Sequence, residues 1–239
     1  MPWLVQSVRF TSFLMPDVVV PTDIWGAIVG GEPETSTYNR SAGLRLEAGP
    51  FLDSLANLTV QPGRVDCVFV PANAPVPIIA TFGDFPDAAQ QHLGAVSHWV
   101  RSERFPATRR LALGLVLVEP TDTRESGYER LRYFIDGVVP QGEASDFMYQ
   151  VNRYRPSAAG IPDLRVNRLA KWAVTLLQLF EMNAGVPALA PPRHFVSLDL
   201  DVSTAADFTG PIPLATVGAV LDDLIRGASE IAIHGDRVG

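Results

Sequence analysis

The stretch Arg110-Leu111-Ala112-Leu113-Gly114-Leu115-Val116-Leu117-Val118-Glu119 alternates leucine with smaller apolar residues, so both faces of the strand it predicts are apolar. Such a strand belongs in the middle of a sheet, covered on both sides. The elements before and after it read in one repeated order. Upstream, residues 4–13 predict a strand with Val8 and Phe10 on one face. Pro21-Thr22-Asp23 then opens a short helix through Ile24, Trp25 and Ile28, which Gly30-Gly31 stops. Residues 38–47 alternate weakly and read as one strand. Residues 55–60 and 65–70 flank the turn Gln61-Pro62-Gly63-Arg64, the clearest hairpin signal of the first half. A Pro-rich loop with Pro71, Pro75 and Pro77 leads to a helix whose apolar positions are Ala89, Leu93, Val96 and Val100.

Downstream, Ser126-Gly127-Tyr128-Glu129 suggests a capping box, and Tyr128, Leu131, Phe134 and Ile135 form the buried stripe of that helix, ended by Gly137 and Pro140. Residues 147–155 and 164–177 predict strands around a loop bearing Pro156, Gly160 and Pro162. Residues 194–202 predict another, and after Gly210-Pro211 comes a last helix with Leu214, Val217, Leu221 and Leu224 on one side. The reading is an α+β fold of two consecutive βαβββα units, residues 1–105 and 106–239, with helices on one face of antiparallel strands. Without a Gly/Ser or charged linker near residue 105, residues 1–239 are read as one compact domain.

Composition narrows the function classes. Of 239 residues, 47% are apolar, which is enough to bury a core and excludes disorder. A single cysteine, Cys67, rules out an internal disulfide and a cysteine-built metal centre. No apolar run has the ~20 residues a membrane helix needs. The start, Met-Pro-Trp-Leu-Val, lacks the charged and apolar regions of a signal peptide, so a cytoplasmic protein is expected. Net charge is −7, the wrong sign for a broad grip on nucleic acid.

The most distinctive motif is Val-Asn-Arg, present as Val151-Asn152-Arg153 and again as Val166-Asn167-Arg168, followed by Lys171 and Trp172. If residue numbers of paired positions sum to 319, Asn152 faces Asn167, and Arg153 and Arg168 lie on the other face. Asparagine is disfavoured within strands. Two matched asparagines therefore read either as amides presented to a ligand or partner, or as a structural pair fixing register. Lys171 and Trp172 point to opposite faces, Trp172 into the core or onto a cleft edge.

Asp199 and Asp201 share a strand face, with His194 nearby. They suit a hard cation, acid–base work, or pairing with arginines of the Val-Asn-Arg strands. Arg101, Arg104, Arg109 and Arg110 cluster after the second helix, suited to its C-terminal dipole or to phosphate contact. Cys67 reads as a small buried hydrophobe, and His92, His98 and His234 have no evident partner. No nucleophile-elbow, zinc-protease, P-loop or dinucleotide motif is present, so neither a cofactor nor a metal is expected.

The order Gln150-Val151-Asn152-Arg153, Val166-Asn167-Arg168-Leu169-Ala170-Lys171-Trp172, Leu198-Asp199-Leu200-Asp201-Val202, then Asp222-Asp223-Leu224 resembles a sporadically distributed family of uncharacterised bacterial proteins of about this length. The resemblance is diffuse in the first half, where a strand like that of Val5–Phe10 and an Arg-Leu-x-Leu-Gly strand (Arg110–Gly114) carry it. It implies a bacterial protein with the scattered distribution of accessory, defence or toxin–antitoxin genes, and it supplies no catalytic residue. The functional expectation is a non-enzymatic binding protein. Its protein partner or ligand would be held by Asn152, Arg153, Asn167, Arg168, Lys171 and Trp172, or at the seam between the units. The other reading is an enzyme or small-molecule sensor with Asp199 and Asp201 in a cleft.

Overall fold

The structure is a computed structural model and describes residues 3–72, 79–137, 144–178, 180–183, 186–189 and 192–237. In chain order the elements are β1 (Leu4–Leu14), α1 (Ile24–Ile28), β2 (Thr35–Asn39), β3 (Leu44–Phe51), β4 (Ser54–Gln61), β5 (Arg64–Pro71) and α2 (Asp87–Val100) in the first half. The second half holds β6 (Thr108–Thr121), α3 (Arg124–Phe134), β7 (Met148–Pro156), β8 (Arg165–Leu177), β9 (Phe180–Asn183), β10 (Val186–Leu189), β11 (Arg193–Thr204) and α4 (Leu214–His234). Nine strands form one antiparallel sheet in the order β2-β3-β4-β5-β1-β6-β11-β8-β7, while β9 and β10 make a separate hairpin. The fold is thus mixed α and β, dominated by strands.

The two halves meet at the β1–β6 pair, where Val8 stands opposite Leu115 and Phe10 opposite Leu113. In each half the last sheet strand returns to flank the first: β5 beside β1, and β11 beside β6. The repeat is looser than the sequence pattern suggests. Residues 38–47 are not one strand but parts of β2 and β3, because Gly43 at φ +60° and Asn39 turn the chain. The Asn39 carboxamide oxygen accepts from Ser41 Oγ at 2.8 Å. The second half carries the additional β9–β10 hairpin. The Pro62-Gly63 turn forms as expected, with Gly63 at φ +74° and Gln61 opposite Arg64.

All four helices lie on one face. Trp99 of α2 meets Phe10 with ring centroids 6.1 Å apart, Phe134 of α3 stacks on Trp172 at 5.0 Å, and Trp3 joins them, its indole donating to Ala232 O of α4 at 2.9 Å. Leu111, Leu113, Leu115 and Leu117 of β6 point into this core with almost no exposure. The other face of β6 carries no described helix, which corrects the expectation of a doubly covered strand. Its small residues Ala112 and Gly114 are hidden by neighbours on the sheet. The Arg9 guanidinium lies flat where a Gly114 side chain would be, 3.0 Å from its Cβ position. The capping box of α3 is also displaced. Thr123 is the N-cap and exchanges hydrogen bonds with Ser126, one turn earlier than the Ser126–Glu129 reading. α3 ends at Phe134, Gly137 follows at φ +70°, and Pro75, Pro77 and Pro140 lie outside the described residues.

Candidate functional site

β7 and β8 pair with residue numbers summing to 321: Asn152 stands opposite Leu169, Tyr154 opposite Asn167, and Arg153 opposite Arg168. The register is two residues from the expected one. A two-residue slip preserves faces, so the asparagines do share the helix-free face and the arginines do lie on the other, but the asparagines are diagonal neighbours. Asn152 is exposed and its Oδ1 accepts from the Arg168 backbone N–H at 3.1 Å, whereas Asn167 Oδ1 is buried without a partner.

The arginines on the helix side fasten α4 and the turn that follows it. Arg153 forks onto Asp236 at 2.5 and 2.7 Å, and Tyr149 donates to the same carboxylate at 2.6 Å. Arg168, nearly buried, faces Glu230 at 3.7 Å. Burial pulls its pKa below the ordinary arginine value, partly opposed by Glu230. Arg155 reaches the fully buried Asp223, which also accepts from Ser157 Oγ, Ala158 N and Arg226. Burial alone would raise the Asp223 carboxyl, but these donors hold it at about 2. Trp172 has no exposure at all and is core, its N–H without a partner. Arg153, Arg168 and Trp172 therefore sit with the helices and not on a shared binding surface with Asn152, Asn167 and Lys171, because strand side chains alternate faces.

On the helix-free face, cross-strand partners align in rows that run through the β1–β6 seam. One row is Arg64, Phe13 and Arg110. The next is Asp66, Thr11, Ala112, Ser203, Asn167 and Tyr154. A third is Val68, Arg9, Gly114, Asp201, Leu169 and Asn152, and a fourth includes Val116, Asp199, Lys171 and Gln150. Both guanidiniums of the first row lie over the Phe13 ring, Arg64 at 5.3 Å and Arg110 at 4.9 Å from its centroid. Arg64 pairs with Asp66 at 2.6 Å, and the Asp66 carboxylate also accepts from Thr11 at 2.6 Å. Arg9 pairs with Asp201 at 3.1 Å, both about 40% exposed. Arg110 donates to Ser203 Oγ at 3.1 Å, and its Nε is buried without a partner.

Asp201 is thus engaged by Arg9, Asp199 stands opposite Lys171, and His194 is at the other end of β11. Among the described residues no three His, Cys, Asp or Glu side chains gather as metal ligands. The arginine cluster also separates: Arg101 forks onto Asp222 of α4 at 2.6 and 2.7 Å, Arg104 and Arg109 are exposed, and only Arg110 reaches the seam. Arg9, Arg64, Asp66 and Phe13 escaped the sequence reading. Their signal is the period-2 alternation of Arg9, Thr11 and Phe13 against Val8, Phe10 and Ser12.

His92 has partners after all. Its ring lies 2.9 Å from Ser54 Oγ and 2.7 Å from Ala88 O, walled by Phe51, Phe69 and Phe82. A serine–histidine contact has the distance of a nucleophile and base. Ser54 and His92 are both buried in the core, so the pair clamps α2 to β4. Burial lowers the His92 pKa from 6.5. Among the described residues no helix is long and apolar enough to cross a membrane. In comparisons with known proteins, no family model, no curated protein and no solved structure matches this chain.

Proposed function

We propose that this is a non-enzymatic binding protein that receives a polypeptide partner on the helix-free face, across the β1–β6 seam and onto the Val-Asn-Arg hairpin. One observation carries the reading. The cross-strand rows over the β1–β6 seam carry charged and polar side chains on a face that no described helix covers, and Arg110 there has no counter-ion among the described residues. Cations and carboxylates alternate over the seam (Arg64 with Asp66, Arg9 with Asp201), which suits a protein surface better than a phosphate backbone. The resemblance to scattered bacterial proteins extends the reading to an accessory protein of defence or toxin–antitoxin type, in the cytoplasm, with its partner encoded nearby.

Site-specific photo-crosslinking in the native host tests the face. A benzophenone side chain at Asn57 or Gln150, on the open face, is expected to trap one stoichiometric protein. The same group at Gln91 or Glu103, on the helix side, is expected to trap none. Asn167→Ala combined with Arg110→Ala, in a protein that still melts cooperatively, should abolish the adduct. Adducts from the helix side alone, or full adduct in the folded double variant, would refute the proposal.

A further inference from the structure

We infer that this chain pairs with a second copy of itself through the outer edge of β2, an interaction distinct from partner capture on the open face. β2 ends the nine-stranded sheet, and among the described residues no strand pairs with its outer side. An outermost strand keeps a row of unpaired N–H and C=O groups that another strand can complete. The two edges of this sheet are not alike. β7, at the far end, carries Arg153, Arg155 and the terminal Pro156, residues that discourage edge-to-edge pairing. β2 is Thr35-Ser36-Thr37-Tyr38-Asn39, with neither charge nor proline, and all five residues are exposed.

The flanking charges choose the occupant. Glu34 precedes β2 and Arg40 follows it; both are exposed, and neither belongs to an ion pair among the described residues. Two copies of β2 laid antiparallel about a two-fold axis at Thr37 match every residue of the strand. Thr37 meets Thr37, Ser36 meets Tyr38, and Thr35 meets Asn39. One residue further, the same register sets Glu34 of each copy against Arg40 of the other, twice by symmetry. Opposite charges across a strand pair favour pairing, as do facing threonines, and the exposed Tyr38 rings become diagonal neighbours across the axis. Other registers lose this match. An axis at Ser36 draws Pro33 into the pairing opposite Asn39, and one at Tyr38 leaves Glu34 facing Ala42. So short a strand pair makes a small interface, and the association is therefore weak and concentration-dependent.

Sedimentation equilibrium of the full chain, at concentrations up to about 200 µM, should show a reversible monomer–dimer equilibrium and no larger species. Glu34→Arg and Arg40→Glu should each weaken the dimer about tenfold, since each turns two attractions into two repulsions. The combined Glu34→Arg/Arg40→Glu variant should return to within about threefold of wild type, a rescue that loss of a merely structural contact would not give. Thiols read the register, because the native Cys67 is buried. Under mild oxidation Thr37→Cys should form a covalent dimer at least about tenfold faster than Thr35→Cys, whose thiol faces Asn39 of the other copy instead. A monomer throughout that range, a mass rising past the dimer, no rescue in the charge-swapped variant, or equal cross-linking at the two positions would overturn the inference. Should the charge reversals fail to fold, the wild-type mass and the two cysteine variants decide.

Discussion

Asp223 shows how much one side chain organises. It lies on the buried side of α4 between Val220 and Gly227, where an acid would be expensive without partners. Arg155, Arg226, Ser157 and the Ala158 amide all donate to it, so the β7–β8 loop is stitched to α4 through a single carboxylate. Asp223→Ala should cost about 3–5 kcal/mol, read as a lower urea midpoint, since the Arg155 guanidinium loses its counter-ion in a partly buried setting. The pH dependence has a definite sign. The carboxyl is held at about 2 in the folded state against an ordinary 3.8, so it contributes stability above about pH 4 and loses it as pH falls toward 2. Wild type should lose stability over that window, and Asp223→Ala should lose less.

At the scale of elements, α2 is held to the β3–β4 hairpin by a polar clasp inside an aromatic box. Burial lowers the His92 pKa there, whereas the unfolded chain takes up a proton near 6.5. The folded protein should therefore weaken as pH falls from about 7 to 5. His92→Phe should flatten that slope in melting curves, although the hydroxyl of Ser54 then keeps only the Phe51 carbonyl. The elements also show what was readable in advance. β1, α2, β6, β8, β11 and α4 announce themselves by long apolar periods, so their places were legible. The β2–β3 turn was not, because Asn39 and Gly43 act through a local turn inside a weakly alternating run. The Val-Asn-Arg motif gave the correct faces but the wrong register, since side-chain alternation constrains parity and leaves a two-residue slip unmarked. Asn167 was legible as a candidate. Its companions Arg9, Arg64 and Phe13 were not, because β1 and β5 lie far from Asn167 in sequence and join its face only when β1 enters the sheet.

Taken whole, the molecule is one apolar layer between helices and sheet with a second, wetter surface on the far side. Cys67 lies in the layer, and burial pushes its thiol up to about 12. It should resist iodoacetamide at pH 8 until the molecule opens globally. The alkylation rate would then follow urea in parallel with the loss of near-ultraviolet circular dichroism, and fast labelling of the native protein would contradict this placement. The strand order has its own consequence for how the molecule comes into being. β1 is made first yet occupies the middle, hydrogen-bonded to β5 on one flank and to β6 on the other. Until that strand is threaded home, each half carries an unsealed apolar margin, and the pairings that close it link residues separated by some 50 to 110 positions. Such long-range closure makes for slow, all-or-none assembly, and the Arg64–Phe13–Arg110 stack exists only once β1 is paired on both flanks.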